Sequence, residues 1–219
     1  MNNSFVIRGN ICQTMNPKEL DLHENAFAIC VDGVSKGVFD VLPEEYASLP
    51  LYDYADALVF PGMVDLHVHA PQYAFRGMCM DLELMDWLNS YTFPEEEKYE
   101  NLEYAEKAYR IFVDALKNGA TTRACIFATQ HRPATELLMQ LMEESGLVSF
   151  VGKVNMDREA SPALTEASAD ISAYTTFGWI NAVKDKFRNT MPILTPRFIP
   201  CCTNQLMEEL RQIQMAYGI

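Results

Sequence analysis

The sequence predicts an α/β fold in which a small β module precedes a series of βαβ units. Three observations carry that expectation. The first 60 residues hold short alternating apolar runs separated by the turn signals Asp32-Gly33 and Lys36-Gly37. From Pro61 onward, apolar strand-like segments alternate with longer helical ones. The chain is 49% hydrophobic and 11% aromatic, which suits a packed core and not a disordered segment.

In order along the chain, residues 5–8 and 26–31 alternate as hairpin strands of the β module. Pro61-Gly62 then leads into a strand over 63–69, and further strands are expected at 121–128, 148–154 and 192–196. Helices are expected at 95–118, 133–145, 164–187 and 203–216, with stops at Lys117-Asn118-Gly119 and Ser145-Gly146. Apolar strands separated by helices build βαβ units on a parallel sheet. The four units here, over 61–219, predict the first half of a TIM-type (β/α)8 barrel, with 1–60 the N-terminal part of a β-sandwich module. A full barrel takes about 250 residues. The expectation is therefore that the sequence stops partway through a barrel, just after the helix stop Tyr217-Gly218.

Charge narrows the function. The net charge of −13 and pI near 4.7 disfavour nucleic acid or an anionic membrane as partner. No apolar run approaches the roughly 20 residues that cross a bilayer. The N-terminus lacks a basic segment followed by an apolar one, so no secretory leader is read. Cys12, Cys30, Cys79, Cys125, Cys201 and Cys202 form no CxxC pair and suit the reduced thiols of a cytoplasmic protein.

The chemistry concentrates at His67-Val-His69, at the end of the strand expected over 63–69. Side chains two apart on a strand share a face, so both imidazoles can address one divalent metal. The end of a strand is also where parallel barrels keep their active sites. An incidental pair, one ring buried and one exposed, is the competing reading, and the flanking Pro61-Gly-Met-Val-Asp65 weighs against it.

That stretch, Pro61-Gly-Met-Val-Asp-Leu-His-Val-His69, resembles the first-strand signature of the amidohydrolase superfamily of metal-dependent hydrolases. His69-Ala-Pro-Gln-Tyr-Ala-Phe75 and Met85-Asp-Trp-Leu-Asn-Ser-Tyr-Thr-Phe-Pro94 are similar to the guanine deaminase family within it. So are Lys117-Asn-Gly-Ala-Thr-Thr122, Phe150-Val-Gly-Lys-Val-Asn-Met-Asp157 and Thr195-Pro-Arg-Phe198. The resemblance implies that His67 and His69 are metal ligands, and that His69, Gln72, Arg197 and Phe198 bind the substrate guanine. The residue types suit that task. A glutamine amide both donates and accepts, an arginine donates to carbonyl and ring-nitrogen acceptors, and a phenylalanine covers a flat ring.

The resemblance further implies one zinc ion per active site, iron(II) in some members, activating a water that attacks C2 of guanine to give xanthine and ammonia. It implies a homodimer, and a β module completed by C-terminal strands. The family's third histidine, its aspartate ligand and its proton-shuttling glutamate lie on later strands, and no histidine follows His131 in this sequence. No catalytic acid or base is therefore expected within these 219 residues, and the isolated chain is expected to be inactive. Two alternatives stand beside this. One is another amidohydrolase acting on a purine, pterin or triazine. The other is a catalytically inactive truncated protein.

Other residues invite blander readings. His131 after the second barrel strand either lines the pocket or caps a loop, and His23 lies in a solvated polar loop. Trp87 and Tyr91 are read as helix packing, with a pocket wall as the alternative, and Glu95-Glu-Glu97 after Pro94 starts an acidic helix favoured by the dipole. Lys153 is not expected to bridge metals in a one-metal site. The other nucleobase deaminases carry H-x-E and P-C-x-x-C. Here H-x-E is absent and Cys201-Cys202 are adjacent, which excludes that class.

Overall fold

The computed structural model describes residues 3–219 and divides into two compact units, the first ending at Gly62 and the second running Met63–Ile219. In the first unit, β1 (Phe5–Asn16), β2 (Glu19–Val31), β3 (Val34–Phe39) and β4 (Leu51–Val59) form one sheet in the order β3-β2-β1-β4. β1 runs antiparallel to β2 and parallel to β4. Val6, Ile11, Ala26 and Ile29 are buried, so the expected apolar runs do face a core. The strands extend well beyond those runs into polar sequence. Cross-strand contacts sustain them there: Gln13 donates to Asp21 at 3.0 Å, and Arg8 donates to Asn25 at 2.8 Å and Asp53 at 3.0 Å.

His23 consequently lies on β2 and not in a loop. It is half-buried between Asp40, 2.9 Å from Nδ1, and Asp21, 3.0 Å from Nε2.

In the second unit β5 (Met63–His69), β6 (Thr121–Phe127), β7 (Val148–Gly152) and β9 (Thr190–Pro192) form a wholly parallel sheet with sequential neighbours, β5-β6-β7-β9. Past a break, β8 (Val154–Asn155) pairs with β10 (Thr195–Pro196). The single strands expected at 148–154 and 192–196 are thus each interrupted. The cause is close packing: Thr195 Oγ1 donates to the Lys153 carbonyl at 2.9 Å, and a Cβ on Gly152 would sit 2.2 Å from Thr195 Cγ2.

Helices connect the strands. α1 (Leu84–Trp87) and α2 (Phe93–Glu97) are joined by a π turn over Leu88–Thr92. α3 (Leu102–Lys117), α4 (Arg132–Ser145), α5 (Ala169–Val183) and α6 (Asn204–Tyr217) follow. The helix expected from 95 is therefore two helices, and its helical segment begins eleven residues earlier, at Leu84. Pro94 cannot supply an amide to the preceding turn, and the wide π turn beside it accommodates that loss. Asn101 separates α2 from α3 by capping the latter, accepting from the amides of Glu103 at 2.9 Å and Tyr104 at 3.2 Å. Ser168 and Thr203 cap α5 and α6 in the same way. Gly146, at φ +78°, ends α4 in the left-handed conformation that favours glycine.

The main core packs helices on the parallel sheet, with Ile126 and Val151 from the strands against Tyr109, Phe112, Leu138, Met142, Trp179 and Ile180. A second, smaller cluster groups Leu88, Phe93, Val154, Met156, Leu164 and Cys201, with Trp87, Phe127, Ala160 and Phe198 packed on it. It lies at the ends of the strands that carry the candidate residues.

Two predictions follow from these contacts. Gly152→Ala overpacks the junction with Thr195 and lowers the free energy of unfolding by about 1–3 kcal/mol, read as a fall in denaturant midpoint. The hydrogen bonds to Asp40 and Asp21 raise the His23 pKa above its ordinary 6.5. Their stabilisation is thus complete below pH 6.5 and fades as pH rises through the raised value. An NMR titration places the His23 midpoint above 6.5, and His23→Gln removes this pH-dependent contribution to stability.

Candidate active site

β5 delivers His67 and His69 to one face, as the two-residue period requires. Their ring centroids are 5.0 Å apart in an edge-to-face arrangement. The Phe127 ring at the end of β6 contacts both, at 4.9 Å from His67 and 4.6 Å from His69. Asp65 Oδ1 accepts from the His67 amide at 3.1 Å, bracing the backbone between the two. Burial above all, then the charges of Arg197 and His67, push the His69 imidazole down to about 3. It is therefore neutral at ordinary pH, and its buried Nδ1 has no hydrogen-bond partner.

A neutral imidazole with an orphaned buried nitrogen beside a second imidazole is a donor set suited to a divalent metal. Among the described residues no third histidine, cysteine, aspartate or glutamate joins them. These residues thus fit as two members of a ligand set.

Gln72 sits on the 3-10 turn Ala70–Phe75 that directly follows β5. It borders a cavity of about 460 Å³ whose lining also includes Arg76, Cys79, Leu84 and Trp87. The two histidines, Arg197 and Phe198 do not line that cavity. Trp87 combines packing with this wall: it lies 5.5 Å from the Phe75 ring and donates Nε1–H to the Met78 carbonyl at 3.3 Å.

Arg197 follows β10 and is buried, its amide donating to the Asn155 carbonyl at 3.1 Å. Its Nη1 lies 2.6 Å from both carboxylate oxygens of Glu96, which is itself 1% exposed. Nη2 is buried and has no partner. The Phe93 ring, one turn before Glu96, lies 5.7 Å from the guanidinium carbon. Burial raises the Glu96 carboxyl above the usual range, and the Arg197 charge limits that rise. Phe198, next in sequence, is half-buried on the cluster that includes Phe127 and Phe93.

The acidic run 95–97 is the clearest departure from the sequence reading. Glu95 accepts from Lys98 at 2.6 Å and from the Tyr104 hydroxyl, Glu96 holds Arg197, and Glu97 accepts from Ser161 at 2.6 Å. Phe93 and Glu96, spaced i, i+3, share one helix face turned toward the site. The sole sequence signal for this is that spacing. Phe127 carries no such signal, because a strand-end aromatic looks like core.

His131 precedes α4, and burial lowers its pKa against opposition from Glu100. Its Nε2 is buried without a partner. The Lys153 ammonium is fully buried 2.6 Å from Glu166 Oε1, so it serves as half of an ion pair. Cys201 and Cys202 are buried free thiols.

Comparison with known proteins identifies relatives of the chain as a whole. The family model described as "Amidohydrolase family" matches residues 58–219. Guanine deaminase of Rattus norvegicus is 40% identical over 161 residues, 73% of this chain and 35% of the relative. The guanine deaminase of Escherichia coli is 32% identical over 165 residues, 75% of this chain and 37% of the relative. The solved structure of the guanine deaminase from C. acetobutylicum, with guanine bound in its active site, superposes with a TM-score of 0.93 at 38% identity. That match covers 99% of this chain and 52% of the other. The chain thus spans only about a third to a half of the length of the proteins it matches. With the family model spanning the whole parallel sheet and its helices, the chain belongs to the amidohydrolase family.

Proposed function

We propose that this chain contributes the N-terminal half of a guanine deaminase, which hydrolyses guanine to xanthine and ammonia. The observation that carries the reading is the pairing of the converging His67–His69 rings with a buried arginine whose Nη2 lacks a partner. It is supported by about 40% identity to guanine deaminases and by the fold shared with one that binds guanine.

In this reading His67 and His69 would hold a divalent metal, zinc or iron(II), which when bound would supply Lewis-acid activation of water near neutral pH. Burial keeps the His69 imidazole unprotonated and so free to ligate. His69 and Gln72 border the substrate, the Gln72 amide donating and accepting along the purine edge. Arg197 donates from Nη2 to a carbonyl or ring-nitrogen acceptor, and the Phe198 ring covers one face and excludes water. The proton shuttle belongs to residues outside this sequence.

The parallel strands β5, β6, β7 and β9 are read as one half of a (β/α)8 barrel, since each neighbours the next in sequence. β5 exposes Met63, Val64 and Leu66, apolar side chains on both of its faces, as a barrel strand awaiting cover would. The first sheet is read as part of a β-sandwich module. Among the described residues no helix is long and apolar enough to cross a membrane. A cytoplasmic homodimer acting on this small molecule, without nucleic-acid or membrane partners, completes the proposal.

The test uses the full polypeptide as its source produces it, loaded with zinc or iron(II). Guanine is converted to xanthine with stoichiometric ammonia. His67→Ala and His69→Ala each lower kcat/KM by more than the roughly 10–100-fold that loss of an outer-shell partner costs. Turnover of a pterin or a triazine but not of guanine would contradict the reading.

A further inference from the structure

Glu96 is the least expected member of the site. It is a carboxylate from the helix before α3, fully enclosed, and it holds Nη1 of Arg197 through both oxygens at 2.6 Å. Two further contacts and burial restrict the residue. The Arg197 amide is tied to the Asn155 carbonyl at 3.1 Å, the Phe93 ring flanks the head at 5.7 Å, and burial closes the rest. Nη2 alone is left buried with its donors unused. A guanidinium has no acceptor and stays protonated, so a group meeting Nη2 must accept.

We propose that Glu96 is a positioning residue that orients Arg197 so that Nη2 selects a purine bearing an acceptor oxygen at carbon 6. The inference rests on the guanine reading above and adds the residue that enforces its selectivity. An amino group at carbon 6 would place donor against donor and leave Nη2 buried and unpaired, a penalty that hydrogen-bonding sites use to reject near-isosteres. Glu96 also offsets the cationic charge of Arg197 next to a candidate metal site, so the arginine can act there as an oriented donor.

The experiment compares guanine with 2-aminopurine, which lacks the 6-oxygen, in the metal-loaded full polypeptide. Glu96→Gln retains the side-chain size but removes the charge and one of the two acceptors. The expected result is a rise of at least tenfold in KM for guanine, with kcat changed less than threefold. The inhibition constant of 2-aminopurine shifts less than twofold. Glu96→Asp keeps the charge, is the gentler change should Glu96→Gln fold poorly, and gives an intermediate loss confined to guanine. Equal losses for both purines in the folded variant, or a fall in kcat alone, would overturn the proposal by showing a structural or chemical role. Absence of guanine turnover in the unmutated protein would overturn the guanine reading and this inference together. Turnover there with equal losses in the variants would overturn this inference alone.

Discussion

The buried ion pair between Arg197 and Glu96 is the contact on which the candidate site depends. It joins residues 101 positions apart, the helix after β5 and the segment after β10, at 2.6 Å through both carboxylate oxygens. Burying two charges costs several kcal/mol per ion before attraction offsets it, so such a pair adds little net stability. What it does supply is orientation. With Nη1 committed to Glu96 and the backbone committed to Asn155, Nη2 is left buried without a hydrogen-bond partner. The Phe93, Phe127 and Phe198 rings keep that region apolar, which strengthens each polar contact within it.

A second buried pair, Lys153 with Glu166, holds the strand ends in place. Lys153 interrupts β7 and β8, and its ammonium reaches Glu166 Oε1 at 2.6 Å and the Val154 carbonyl at 3.2 Å. Glu166 Oε2 in turn accepts from the Met156 amide and from Ser172, which links the loop before α5 to the strand. Asn155, donating to Ser172 and Thr176, sends its carbonyl to the Arg197 amide. Both ion pairs thus meet through one short segment, residues 153–155. Gly152 lets Thr195 approach that segment closely enough to close the network.

The repetitive parts of the fold were legible because local chemistry decides them. β5 has the expected bounds, since Pro61-Gly62 opens it and alternating apolar residues run to His69. α4 and α6 fall within a residue of expectation, each stopped by a glycine at positive φ. The convergence of His67 and His69 likewise follows from strand periodicity. What stayed hidden depends on residues distant in sequence. Three consecutive glutamates look solvated until Arg197, Ser161 and Tyr104 arrive from other elements. A lysine after a glycine gives no hint that Glu166 will bury it. Pro94 marks a helix start by local rules and does stand in the first turn of α2, but those rules give no sign of the π turn that runs into it. His23 reads as loop in sequence because the ladder that holds it runs through polar residues.

The central claim is that His67, His69, Gln72, Arg197 and Phe198 surround a purine, with Arg197 as the oriented donor. A crystal structure of the full polypeptide with guanine bound tests it most directly. The account predicts the purine oxygen within hydrogen-bonding distance of Arg197 Nη2, its ring against Phe198, and a metal on His67 and His69. A purine seated elsewhere, with Nη2 taken up by a protein acceptor, would contradict it.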